Sequence, residues 1–387
     1  MKKALTFRGY RRADGRVGVR NHVLILSPTG LTSTAAQRVS SLVRGTICVV
    51  SGFGRGQVAA DAKLHFDTLA GLAAHPNVAA VLVLSASQEI SDSYVAAAEK
   101  SDKPAVGLSL PGLKEDALAL VDAGVRAATH MVRAASALTR EECSLAELCI
   151  AAECGHSDTS SGLACNPLVG RMLERVVEAG GQAMFSETVE WTGAEHILAR
   201  RAANHELACR IRNAVVARER NVLQAGGDIR AQNPGPQNKA GGLSTIEEKA
   251  LGAIAKGGDQ RIEGLLAPAE RPQGPGLFLM DTPYFSPESI TAMVAGGAQM
   301  VLFTTGAGNS YCSLVAPTLK MTANEATRSR LLEQIDIDAT GALRDRPLDE
   351  LAAEKLAELA EFASGKLTFG EIVGEGCEVV SRLGPSI

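Results

Sequence analysis

Predominantly apolar runs recur along the chain, each followed by a longer stretch of mixed polarity. Runs of about five to eight residues alternating with helical stretches are the pattern of a parallel sheet covered on both faces. In the first third the runs are Val19–Leu26, Thr46–Val50, Val78–Leu84 and Ala105–Leu110. Thr32–Leu42, Gln57–Ala73 and Leu113–Ala135 read as the helices between them. The expectation is a doubly wound domain of about four strands.

A second series begins after the polar Thr139-Arg140-Glu141-Glu142. Leu148–Ala152, Gln182–Ser186, Gly276–Met280 and Met300–Thr304 read as strands. Asn166–Ala179, Gly193–Ala225, Ser286–Ala295 and Leu348–Gly365 read as helices, the first with Pro167 at its start and Gly180-Gly181 at its end. Gly226–Gly242 reads as a Gly/Pro/Asn-rich loop. The predicted fold is α/β, with two doubly wound, Rossmann- or flavodoxin-like parallel-sheet domains. They span residues 1–140 and 141–387, with the boundary near 136–146 and a cleft between them.

Length agrees with two domains, since 387 residues exceed one ordinary core. With 45% hydrophobic and 21% charged residues, a disordered chain is excluded. A net charge of −4 offers no basic field for nucleic acid. No apolar run reaches the roughly 18 residues of a membrane span, and Arg8, Arg11 and Arg12 interrupt any signal-like segment. The eight cysteines form no CxxC pair and no zinc spacing. A cytoplasmic protein is the simplest expectation.

Chemistry in an open α/β sheet sits past the carboxyl ends of the strands, and three segments there concentrate small and polar residues. Glu153-Cys154-Gly155-His156-Ser157-Asp158 packs two carboxylates and an imidazole before a helix start, where free N–H groups favour an anion. Capping by Asp158 is the simpler role for such a loop. Asn238-Lys239-Ala240-Gly241-Gly242 places a lysine among small residues and lacks the Walker A order. Phe303-Thr304-Thr305-Gly306 offers hydroxyl and N–H donors for a carboxylate, with Lys320 as a nearby cation or as a solvated edge-strand lysine. Among the histidines only His156 has acid/base company; His65, His75, His130, His196 and His205 read as structural or surface residues.

Assembled in order, these motifs resemble the altronate/galactarate dehydratase family, which includes the large subunit of sulfolactate sulfo-lyase. The resemblance rests on Gly9-Tyr10 with Asp14-Gly15-Arg16-Val17-Gly18-Val19-Arg20-Asn21, on Glu153-Cys154-Gly155 with Ser157-Asp158, and on Asn238-Lys239-Ala240-Gly241-Gly242. Met280-Asp281-Thr282-Pro283, Phe303-Thr304-Thr305-Gly306 and Asp336-Ile337-Asp338 extend it. It implies a hydro-lyase acting on a sugar acid or short hydroxy acid, by proton abstraction beside a carboxylate and loss of water. A carbon–sulfur lyase and a non-catalytic binding subunit are the alternatives. His156, Asp158, Lys239 and Glu153 are the expected catalytic residues. Arg20, Asn21, Arg55, Ser157, Asn238, Thr304, Thr305 and Lys320 are the expected contacts to a small anionic substrate.

The family further implies a divalent metal, iron or manganese, and a small β-rich domain that precedes this segment or arrives as a separate subunit. Here the chain begins at the GY-DGR-GVRN segment, so the small domain is expected either as a separate partner subunit or to be missing. A homo-oligomer is expected as well. Positions that carry cysteine in relatives read Leu31, Arg55 and Gln88. Leucine cannot ligate, arginine repels a cation and glutamine is a weak neutral donor, so an iron-type site in the first domain is expected to be lost.

Overall fold

The computed structural model describes residues 5–344, 346–384 and 386. Two parallel sheets carry the fold. The first unit has four strands in the order Thr46–Val50, His22–Ser27, Val78–Ser85, Ala105–Ser109. Every residue of Val78–Ser85 is buried, as its unbroken apolar run requires for a strand covered on both faces. Helices Ser33–Leu42, Ala59–Ala73 and Ala117–Ala135 fall where the pattern places them. A further helix, Gln88–Glu99, does not announce itself, because its sequence QEISDSYVAAAE has a weak apolar stripe.

The second unit is a seven-stranded sheet in the order Ile262–Leu266, Gly276–Met280, Gln182–Phe185, Cys149–Gly155, Met300–Thr305, Thr318–Thr322, Ile337–Asp338. All its pairings are parallel. The chain builds outward on one side of Cys149–Gly155 and then on the other, so the strand order reverses between Cys149–Gly155 and Met300–Thr305. Thr318–Thr322 corrects one expectation: it lies between two strands, and its Lys320 is 2% exposed rather than solvated at an edge.

The polar stretch between the units is not a free linker. Glu141–Ser144 pairs antiparallel with Thr6–Arg11, which also pairs with Val17–Gly18. This small third sheet is fastened to the second unit by Gln299, whose amide donates to Val17 O (2.5 Å) and Glu147 O (3.0 Å). The long helical stretch Gly193–Ala225 is broken into Glu195–Arg200 and His205–Gln224. Gly226–Gly242 holds two short helices, Ile229–Gln232 and Pro236–Ala240.

The units share a core. Leu69 and Leu72 of the first pack with Met280, Ile290 and Met293 of the second. Helices Ala59–Ala73 and Ser286–Ala295 approach so closely at Gly71 that a Cβ there would collide with the carbonyl oxygen of Ala295. Beyond Phe369–Val373 the chain returns as a strap. Glu378 is held by Ser313 Oγ (2.6 Å), Thr291 Oγ1 (2.8 Å) and Leu314 N (2.9 Å), and burial raises its carboxyl. The N–H groups of Leu383 (2.6 Å) and Gly384 (2.9 Å) then donate to Asp61 of the first unit.

Candidate functional site

A cavity of about 700 Å³ opens at the carboxyl ends of four neighbouring strands of the large sheet. Cys154, Gly155 and His156 come from the end of Cys149–Gly155, and Glu187 and Glu190 follow Gln182–Phe185. Tyr284–Pro287 follow Gly276–Met280, and Asn309–Tyr311 follow Met300–Thr305. Asn233, Asn238 and Lys249 close one side, and Glu375–Cys377 of the strap close another. The three polar loops singled out in the sequence thus meet at the topological switch point, where open α/β sheets bind ligands. The cavity belongs to the second unit, not to a cleft between the two, since its lining residues run from 154 to 377.

Its floor is ionic and buried. The Lys249 ammonium lies 2.6 Å from Glu190 Oε1 and donates to Asn233 Oδ1 at 2.8 Å. Lys256, behind it, donates to Cys154 Sγ (3.3 Å) and to Glu187 Oε2 (3.4 Å). Cys154 in turn donates to Glu190 Oε2 at 3.5 Å. Glu153 is completely buried; Ser186 Oγ reaches its Oε2 at 3.3 Å, while its Oε1 has no hydrogen-bond partner among the described residues. Burial pushes the Glu187 carboxyl well above the usual range, helped by the neighbouring charges of Glu153 and Glu190. Burial raises Glu153 and Cys154 as well. Glu190 moves the other way: burial opposes its charge, and Lys249 and Lys256 overcome that opposition.

Backbone strain gathers at the same place. Glu187 (φ +68°) and His156 (φ +50°) both adopt the left-handed conformation, which costs a non-glycine residue about 1–3 kcal/mol and collects at functional sites. His156 Nδ1 hydrogen-bonds the carbonyl of Gly308 at 2.8 Å. That bond makes Nδ1 the donor of the neutral ring and leaves Nε2 as the acceptor.

Cys154 Sγ and carboxylate oxygens of Glu187 and Glu190 lie within 4.8 Å of one another, a sulfur–oxygen donor set suited to a divalent transition metal. Fully ionised, the thiol and three glutamates carry four negative charges against two ammonium groups. A divalent cation would close that balance, and the orphaned Glu153 Oε1 lies in the same buried group. In the first unit Leu31 and Arg55 are exposed, and Gln88 bonds Asp92 and Ser109.

The other anticipated residues separate into two groups. Of those expected to act, only His156 and Asn238 line the cavity. Lys239 is exposed and outside the lining, where Lys249 is the only ammonium among the described residues. Asp158 is engaged as a cap: Oδ1 accepts from Ser160 Oγ (2.6 Å), Ser161 N (2.9 Å) and Ser161 Oγ (3.1 Å), and Oδ2 from Asn324 (2.8 Å). Asn238 donates to Ser157 O (2.8 Å), Thr304 to Asn166 Oδ1 (2.6 Å), and Thr305 Oγ1 accepts from Gly308 N (3.0 Å). Ser157 Oγ is buried without a partner and borders a neighbouring apolar hollow.

Arg20, Asn21 and Arg55 stand away from the cavity. Arg20 binds Glu371 at 2.6 Å and the carbonyls of Phe362 and Lys366, while Asn21 joins Arg12 to Ala135 O. Arg55 is exposed. His65 and His75 are core residues, bonded to Ser51 Oγ (2.8 Å) and Ala298 O (3.0 Å). The sequence reading passed over Glu187, Glu190, Lys249 and Lys256. Two signals were present: the glutamates follow a strand, and the lysines stand seven apart in the otherwise apolar face of IEEKALGAIAK.

Two family models match the chain: D-galactarate dehydratase/altronate hydrolase, second domain, over residues 9–136, and D-galactarate/altronate dehydratase, C-terminal, over residues 145–386. The chain belongs to the D-galactarate/altronate dehydratase family. It is 38% identical over 389 residues to the (2R)-sulfolactate sulfo-lyase subunit beta of Chromohalobacter salexigens, covering 98% of each chain. It is 31% identical to the altronate dehydratase of Escherichia coli, covering 94% of this chain and 74% of that one. A galactarate dehydratase of the same organism is 37% identical over 59% of this chain and 43% of its own. The family is one of lyases, and the resemblance seen in the motifs holds at that level. Among the described residues no helix is long and apolar enough to cross a membrane.

Proposed function

We propose that this chain is the catalytic subunit of a lyase that eliminates sulfite from a short 2-hydroxy acid bearing a sulfonate on the next carbon. The observation that carries this reading is the end-to-end match to a sulfo-lyase beta subunit, against partial coverage of the dehydratases. That relative is named as a subunit, which supports a separate small partner here too.

The cavity's residues suit the chemistry. Lys249 offers its charge to the substrate carboxylate and to the enediolate that forms from it, from a buried position where a single charge counts for more than in water. His156 Nε2 takes the proton from the carbon bearing the hydroxyl. The electron pair forms the carbon–carbon double bond, the carbon–sulfur bond breaks, and sulfite leaves with its pair; the enol then ketonises. Cys154, Glu187 and Glu190 would hold a divalent cation, whose chemistry is to polarise substrate oxygens.

Loss of water from a sugar acid is the second reading, supported by the two dehydratase relatives and by a cavity roomy enough for a six-carbon acid. The test is a panel of sulfolactate, altronate and galactarate, run with and without a small partner subunit, reading sulfite release and keto-acid formation separately. Sulfite from sulfolactate is the expected result. Keto acid from a sugar acid without sulfite release would transfer the assignment to the hydro-lyase, and substrate binding without turnover would leave a binding subunit.

A further inference from the structure

A second lysine–cysteine contact lies behind the cavity wall. Lys320 Nζ, on the interior strand Thr318–Thr322, is 3.3 Å from Cys312 Sγ, and both residues are buried. Sulfur is the only hydrogen-bond partner of that ammonium among the described residues; the ring of Phe303 lies 5.5 Å away. Asp336 accepts the backbone N–H of Lys320 (2.9 Å), not its ammonium. A buried lysine is ordinarily matched to a carboxylate, and here a thiol takes that place. The cavity pair Lys256–Cys154 has the same 3.3 Å separation but shares its ammonium with Glu187.

We propose that Cys312 and Lys320 are a modification site, at which oxidation joins them covalently through a sulfur–oxygen–nitrogen bridge. Peroxide is the oxidant. One molecule converts the thiol to a sulfenic acid and a second converts the amine to a hydroxylamine, each transfer removing two electrons and releasing water. The hydroxylamine oxygen then attacks the sulfenic sulfur, the S–OH bond breaks, and a third water departs. Thiol, amine and two peroxides thus give the bridge and three waters. Inserting one oxygen needs only a small contraction of a contact already at 3.3 Å.

The bridge would act on the cavity from behind. Cys312 directly follows Asn309–Tyr311, which line the cavity, and its carbonyl accepts the N–H of Cys377 in the strap (3.2 Å). Fixing its side chain to the sheet pins both walls.

The experiment treats the full chain with hydrogen peroxide and follows intact mass. The expected product gains about 14 Da, one oxygen in and two hydrogens out, and dithiothreitol reverses it. In its peptide spanning residues 312–320, backbone cleavage between the two positions fails to release separate fragments. Cys312→Ser abolishes the gain and keeps basal turnover and melting temperature, while Cys154→Ser retains the gain. Gains of about 16 or 32 Da at Cys312 alone, a disulfide from Cys312 to Cys377, or no change at either residue would each overturn the proposal.

Discussion

Lys249 and Glu190 meet at 2.6 Å across the cavity floor, joining the helix Ile246–Ile254 to the turn Thr188–Trp191. Both side chains are more than nine-tenths buried, so removing either one leaves the other charge buried without its ion-pair partner. Lys249→Met or Glu190→Gln alone should lower stability by about 3–5 kcal/mol, and the double variant should recover most of that loss. Urea unfolding of all four proteins measures the coupling. Additive losses would mean that the pair is not a unit.

The two lysines of the polar segments should separate in kinetics. Lys249→Met is expected to lower kcat by about a hundredfold or more, because in the proposed mechanism the charge it removes stabilises the forming enediolate. Lys239→Met is expected to stay within about twofold, its ammonium being exposed and outside the lining. Reversal of that order, with both variants folded, would move the chemistry to the Asn238–Gly242 segment.

Lys103 supplies a pH signature of stability. It is 4% exposed, with its ammonium on Val78 O (2.7 Å), and burial, then Arg12 and Arg16, pull it down from 10.5 to about 7. Between these values the unfolded chain binds more protons than the folded one, so this group's penalty is full below pH 7 and fades as pH rises towards 10.5. Lys103→Met should therefore stabilise the protein by on the order of 2–3 kcal/mol near pH 6, and the gain should shrink by pH 10. A gain independent of pH would refute the assignment.

Gly71→Ala sets two effects against each other. Alanine favours an interior helix position by about 1 kcal/mol, but here its Cβ would collide with a backbone oxygen that cannot turn aside. The collision should prevail, with a net loss of about 1–3 kcal/mol in denaturant midpoint experiments. A stabilised variant would show that the two helices separate easily.

What could be read in advance depended on how local the determinant is. Val78–Ser85 and Gly276–Met280 announce themselves because a strand buried on both faces has no polar position to confuse it. Thr6–Arg11 and Glu141–Ser144 carry four charged residues between them and find each other across the whole first unit, so no local pattern reveals them. Lys320 looked like a surface residue because nothing nearby in sequence shows that Phe303 and Cys312 enclose it. The loop from Glu153 to Asp158 was visible as a polar concentration. That its last residue would be spent on a cap while its second, Cys154, joined Glu187 and Glu190 depends on packing between strands.

The strap fastened to Asp61 ties the first unit to the mouth of the cavity. Among the described residues that unit supplies no side chain to the cavity, yet it holds the far end of the segment whose residues 375–377 form part of the mouth. A shift of the helix Ala59–Ala73 would therefore pull on the mouth like a latch cord. Substitutions in that helix would reshape the mouth without touching any residue of its lining.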